Sequence, residues 1–289
     1  MKTTLLSLAM MTLLAAPLAA QPQVINGSVQ PLALGGGLTR NAVDAFAAKS
    51  ATAWVGYSVP ALDADRRSCC WSGDSPACCQ ACRIEPGSSS GTTFSAADRT
   101  GAASLEAGDL HVLMRISDGR LERIRVFSHD CALDAGGLTI HWLSDVAPAD
   151  SVALLGSFLN ATASNRLADG ALVALALHRE PAALERLLTA AKDGATTHLR
   201  GQALFWLAQR AGDKAVGAIS DAIANDPETD VKKRAVFALS QLPKDDGVPL
   251  LIQVSRTNPN PAVRRQAMFW LGQSRDPRAV RFFEEILFK

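Results

Sequence analysis

The spacing of apolar residues changes once along the chain. Between Thr52 and about Val146 hydrophobic and polar positions alternate, a period of two that predicts strands. "ATAWVGYSV" from Ala51 reads as one strand. "LHVLMRISDGRLERIRVFS" from Leu110 reads as two, joined at Asp118-Gly119, a turn pair favoured in tight hairpins, and "LTIHWL" from Leu138 is a fourth. From Asp150 onward apolar residues recur every three or four positions, which predicts helices. "DSVALLGSFLN" is the first of these and is placed to cover the open end of the helices after it.

The helical part repeats itself. "RGQALFWLAQ" from Arg200, "KKRAVFALSQ" from Lys232 and "RRQAMFWLGQ" from Arg264 align 32 residues apart, with Ala203, Ala235 and Ala267 in register, and Leu207, Leu239 and Leu271 likewise. The step extends back to Ala171 and Leu175, and holds for Leu184, Val216, Val248 and Val280 in the intervening stretches. Short turn signals ("AGDK", "PKDD", "RDPR") divide each copy into two helices, and prolines in "NDPETD" and "TNPNP" separate the copies. A single helical hairpin cannot bury both of its apolar faces, so four copies between roughly Ser164 and Lys289 are expected to stack into a solenoid.

The last copy, with Val263-Arg264, Ala267, Leu271-Gly272, Asp276-Pro277 and Ala279-Val280, resembles the bacterial HEAT-repeat pattern, and the two copies before it match less completely. The resemblance covers roughly the last 125 residues and implies a right-handed stack of helical hairpins whose usual business is protein binding. Some relatives handle chromophores, and no residue here points to that. The copy from Leu167 departs most, carrying Asp169-Gly170 in place of the basic pair, as suits an end or junction repeat.

On a helical wheel at about 100° per residue, Val263, Trp270 and Leu271 fall on the Ala267 side, the expected core stripe. Phe269 falls on the opposite side, about 200° away. It recurs as Phe205 and Phe237, and Gln209, Gln241 and Gln273 recur beside it. Helices packed about 8–10 Å apart would line the three rings into a row roughly 20 Å long. A contiguous apolar row rimmed by polar groups marks an interaction surface, which makes these six residues the candidate partner-binding site. The competing reading has the rings folded between neighbouring helices or covered by the N-terminal module. Arg200, Lys232 and Arg264 recur at the same step and are expected to pair with acidic turn residues such as Asp213 and Asp245.

Composition adds a compartment and a constraint. Lys2, an apolar run from Leu5 to Leu14 and small residues through Ala19-Ala20 read as a cleavable secretory signal over residues 1–20, although Leu18 is not the ideal small residue before the cut. The run is too short to span a bilayer, so no stable membrane span is expected after cleavage, and the mature chain is expected to be periplasmic or extracellular. In an oxidising compartment Cys69, Cys70, Cys78, Cys79, Cys82 and Cys131 are expected to form disulfides that brace a Ser-, Gly- and Pro-rich loop; the connectivity stays open. A formal charge of +1 removes the diffuse positive field that sequence-independent nucleic-acid binding needs, so no nucleic-acid partner is expected.

Chemical readings compete in the N-terminal half. Cys79-Gln80-Ala81-Cys82 has the spacing of a redox or zinc site that His111, His129 or His141 could complete, but it lacks a second pair at similar spacing and an α/β context. "FSHDCALDAGG" from Phe127 sets His129, Asp130 and Cys131 side by side, yet neighbours on a strand point to opposite faces, and Gly136-Gly137 reads as a tight turn. The expected protein is α+β overall: a linker and helix over 21–50, a small disulfide-rich, mainly β module over 51–146, and an all-α HEAT-like solenoid over 147–289. The expected function is a scaffold or adaptor binding a protein or extended peptide, with no catalytic residues, metal or cofactor. The alternative is an envelope enzyme or sensor using thiol or metal chemistry in the cysteine-rich module.

Overall fold

The computed structural model describes residues 21–62, 82–85, 108–129, 132–160, 162–210 and 212–288. Strands β1 (Val24–Ile25) and β2 (Ser28–Leu32) precede helix α1 (Arg40–Ala47). Then come β3 (Ala53–Pro60), β4 (Cys82–Arg83), the hairpin of β5 (Asp109–Ser117) and β6 (Arg120–Ser128), β7 (Leu133–Asp134) and β8 (Thr139–Leu143). The hairpin turns where alternation breaks. Asp118 and Gly119 both have positive φ, 51° and 71°, as a two-residue turn matching strand twist requires. Gly136 and Gly137, at φ 60° and 87°, make the turn before β8.

The segment expected to be a linker and helix therefore also supplies two strands. "SVQPL" of β2 lacks clean alternation and contains Pro31, which a strand tolerates at a sheet edge. It lies there: the main sheet has the order β2-β8-β3-β5-β6, with β2 and β8 parallel and β3, β5 and β6 antiparallel in turn. A second, three-stranded sheet has the order β1-β7-β4.

Both faces of the main sheet are buried, each by a different neighbour. Trp54, Leu113, Phe127, Ile140 and Trp142 form one core with Ile84, Leu133 and Ala135 of the small sheet side. Gly56 leaves room there for the Trp142 ring, since a Cβ would sit 2.8 Å from it. Val55, Tyr57, Val112, Met114, Ile124 and Val126 face the other way, into a core that takes in α1 and continues through the helical half. The strand module and the solenoid therefore share one core, and neither is a tethered appendage.

After α2 (Pro148–Gly156) the helices pair as α3 (Asn165–Leu177) with α4 (Pro181–Asp193), α5 (Thr197–Arg210) with α6 (Asp213–Asn225), α7 (Thr229–Gln241) with α8 (Lys244–Thr257), and α9 (Pro261–Gln273) with α10 (Pro277–Leu287). These are the four copies. Pro148, Pro181, Pro261 and Pro277 open their helices, where the missing N–H and fixed φ are harmless. Ala171, Ala203, Ala235 and Ala267 are fully buried, and their small side chains let the layers approach closely. In the second helices the buried row is Ala183, Ala215, Gly247 and Ala279, one residue before the Leu184, Val216, Val248 and Val280 series.

The junction explains why the first copy departs from the others. α3 lies across β6, and a Cβ on Gly170 would stand 2.4 Å from the Ile124 carbonyl oxygen, so only glycine fits. Tyr57 and Ser151 hydroxyls meet at 3.1 Å in the shared core. The end of β3 then pairs with the α3–α4 turn: Leu62 N–H donates to Leu177 O at 2.7 Å, and Arg179 N–H donates to Pro60 O at 3.0 Å. His178 is sealed inside this seam. Its Nδ1 accepts from Glu180 N–H at 3.1 Å, and burial, helped by the Arg210 charge, pulls its pKa down to about 4.

Candidate functional site

The aromatic row starts on α5 and runs along the side of α5, α7 and α9 that faces away from the buried alanines. Phe205 and Phe237 stack with ring centres 5.8 Å apart and planes 3° from parallel. Phe237 meets Trp270 at 4.9 Å, and Trp270 meets Phe269 at 5.0 Å, edge to face. The three phenyl rings therefore do not form a simple ladder. Trp270, expected in the core stripe, is only partly buried and bridges Phe237 to Phe269, because its indole is long enough to reach over the edge of α9 toward α7. Its Nε1–H is shut off from solvent and donates to no acceptor among the described residues.

Exposure rises along the row. Phe205 and Phe237 are half-buried, and Phe269 is 54% exposed. Gln209 is half-buried, while Gln241 and Gln273 are exposed along the rim. Basic side chains flank the rings, and the sequence pattern alone did not single them out. Lys233 stands one turn before Phe237, and Arg265 stands one turn before Phe269. The equivalent position before Phe205 is Gly201, and the stem of Arg234 lies across it, 2.2 Å from where a Cβ would be. The 32-residue step could have found Lys233 and Arg265; no sequence signal shows that Arg234 fills the place opened by Gly201.

The other basic series meets its expectation in part, since Arg200 pairs with an acidic turn residue between copies, Asp226. Arg200, Lys232 and Arg264 do not reach Asp213 or Asp245. Each turns back to the end of the preceding helix: Arg200 to Gly194 O at 2.9 Å, Lys232 to Ala224 O at 2.7 Å and Arg264 to Asn258 O at 2.7 Å. Carbonyls at a helix C-terminus lack intrahelical donors and carry the negative end of the dipole, so a cation there is stabilising. Arg200 alone also forms a two-pronged ion pair with Asp226, at 2.8 and 3.2 Å.

The strand module separates the residues of the chemical alternative. His111 pairs across strands with Ser58, with Nδ1 to Oγ at 2.8 Å, on the face of the small sheet. His141 is opposite Val55 on the other face, its ring 5.0 Å from Phe46 of α1, and burial lowers its pKa. The two cannot share an ion, because the sheet lies between them. Among the described residues no group of three or more His, Cys, Asp or Glu side chains is placed to hold a metal. Cys69, Cys70, Cys78, Cys79 and Cys131, with Asp130, lie outside the described residues; Cys82 is described only through its backbone in β4. The twenty residues read as a signal lie outside them too, and no described helix is long and apolar enough to cross a membrane.

Comparison with known proteins bears on the helical half. No curated protein matches the chain. Among solved structures, the phycocyanin lyase complex of CpcE and CpcF from Nostoc sp. PCC7120 is similar at 19% identity with a TM-score of 0.38, over 49% of this chain and 91% of that one. YibA of Escherichia coli is similar at 25% identity with a TM-score of 0.35, over 48% of this chain and 54% of that one. The family of HEAT repeats matches residues 216–288, from within α6 to the end of α10. That match lies within the C-terminal half of the chain.

Proposed function

We propose that the protein is an exported, non-enzymatic scaffold that holds an extended segment of another protein against α5, α7 and α9. The carrying observation is the unbroken line of aromatic contacts from Phe205 through Phe237 and Trp270 to Phe269, open to solvent at its Phe269 end. Rings held by a stacked-helix framework lose little freedom on contact, so they suit anchoring. Gln241 and Gln273 offer amide donors and acceptors at the rim, the groups an extended backbone needs. The secretory pattern of residues 1–20 supports an encounter outside the cytoplasm.

Phe237 is the test position, being in contact with both Phe205 and Trp270. A folded Phe237→Ser variant is expected to lose at least tenfold in affinity for a bound segment, a loss of about 1.4 kcal/mol or more. Unchanged binding of such segments by a variant with native circular dichroism would remove the row from the mechanism.

A further inference from the structure

Resting on that reading, we infer that the segment bound along α5, α7 and α9 is acidic, with apolar side chains set between its carboxylates. The argument is the pairing of charge with ring. Each phenylalanine of the row has a cationic side chain about one turn toward its helix N-terminus: Arg234, lying over Gly201, for Phe205; Lys233 for Phe237; Arg265 for Phe269. The acidic residue on the same exposed side of α7 and α9 is Asp230, which Lys233 meets at 3.0 Å. Arg234 and Arg265 make no ion pair among the described residues. This contrasts with Arg200, Lys232 and Arg264, whose charges are spent on helix ends within the fold. The series of Arg200, Lys232 and Arg264 thus turns inward, whereas Lys233 and Arg265, on the same step, and Arg234, in the place of the third, lie beside the rings.

Geometry sets the shape of the ligand. Neighbouring helices lie about 8–10 Å apart, and an extended chain in the polyproline II conformation advances about 3.1 Å per residue with three residues per turn, so every third side chain returns to the same face and one anchor falls opposite each helix. A stretch of about seven residues then spans α5 to α9, with every third side chain apolar and against the rings and Asp or Glu at intermediate positions against the cations. Exposed charges of this kind steer association and select against basic partners more than they add affinity.

The test is selection of randomised twelve-residue peptides displayed on phage, using the intact mature protein, its Phe237→Ser variant and a Lys233→Glu/Arg265→Glu variant. The expected result is enrichment of net-negative peptides that carry apolar residues at three-residue spacing. The enriched peptides should bind the double variant at least tenfold more weakly and weaken with added salt. Peptides that depend on Phe237 but carry no net negative charge would overturn the acidic partner and leave the scaffold reading standing. Peptides indifferent to Phe237 would overturn both.

Discussion

The two ends of the solenoid are built from the same repeat and finish differently. At the α3 end the stack is closed by the sheet: Gly170 lies under Ile124, Leu172 and Ala174 are fully buried, and the α3–α4 turn is stitched to β3. At the α10 end Val280, Ile286, Leu287 and Phe288 are 55, 43, 75 and 87% exposed, and no described element covers them. The matching positions one copy earlier are more enclosed; Val248, equivalent to Val280, is 3% exposed, as is Ser255, equivalent to Leu287. Each repeat therefore presents an apolar side to the next position of the stack, and beside α10 no described element occupies that position. What seals an end is a local change of sequence, here a glycine that lets a strand come close.

The contrast can be broken most severely at Gly170. Gly170→Val forces a side chain into the Ile124 carbonyl and is expected to lower stability by about 3 kcal/mol or more, read from the urea midpoint. A loss below about 1 kcal/mol would mean that the helix–sheet contact is not as tight as described.

The second effect separates the ends by pH. His178 titrates at about 4 when folded against an ordinary 6.5, so the unfolded chain binds more protons between those values. Its contribution is complete above pH 6.5, is lost as pH falls toward 4, and totals at most about 3 kcal/mol. Denaturant titrations from pH 7 to 4 should show a shallower fall in His178→Gln than in the parent. Equal slopes would take the seam histidine out of the acid response.

The smallest effect has the opposite sign and belongs to the other end. Gly272 in α9 has nothing within 4 Å of a would-be Cβ, so Gly272→Ala is expected to stabilise by about 0.5–1 kcal/mol through helix propensity alone. A thermal midpoint that falls instead would show that something occupies this space.

Much of the fold was readable in the chain, for identifiable reasons. Alternation marked β3, β5, β6 and β8, and Asp118-Gly119 marked the hairpin, because local sterics dictate both. The helix pairs were legible in the constant step of Ala171, Ala203, Ala235 and Ala267, since one buried contact recurs with each copy. β1 and β2 were not readable: their pairing with β7 and β8 joins residues more than a hundred positions apart, and Pro31 argues against a strand until an edge is available. The candidate site was readable as a period but not as a surface. Phe205, Phe237 and Phe269 could be counted, whereas the insertion of Trp270 and the reach of Arg234 over Gly201 depend on which rotamers neighbouring helices allow.

By itself the sequence determined the repeat, its pitch, the hairpin turn and the sides of the helices that must be buried, because these depend on side-chain spacing and backbone sterics within a few residues. Only the tertiary structure decided which end of the stack is sealed, that strand module and solenoid share one core, and that Arg200, Lys232 and Arg264 turn inward while Lys233, Arg234 and Arg265 lie beside the rings. Those outcomes depend on distances between residues far apart in the chain, and no local pattern encodes them.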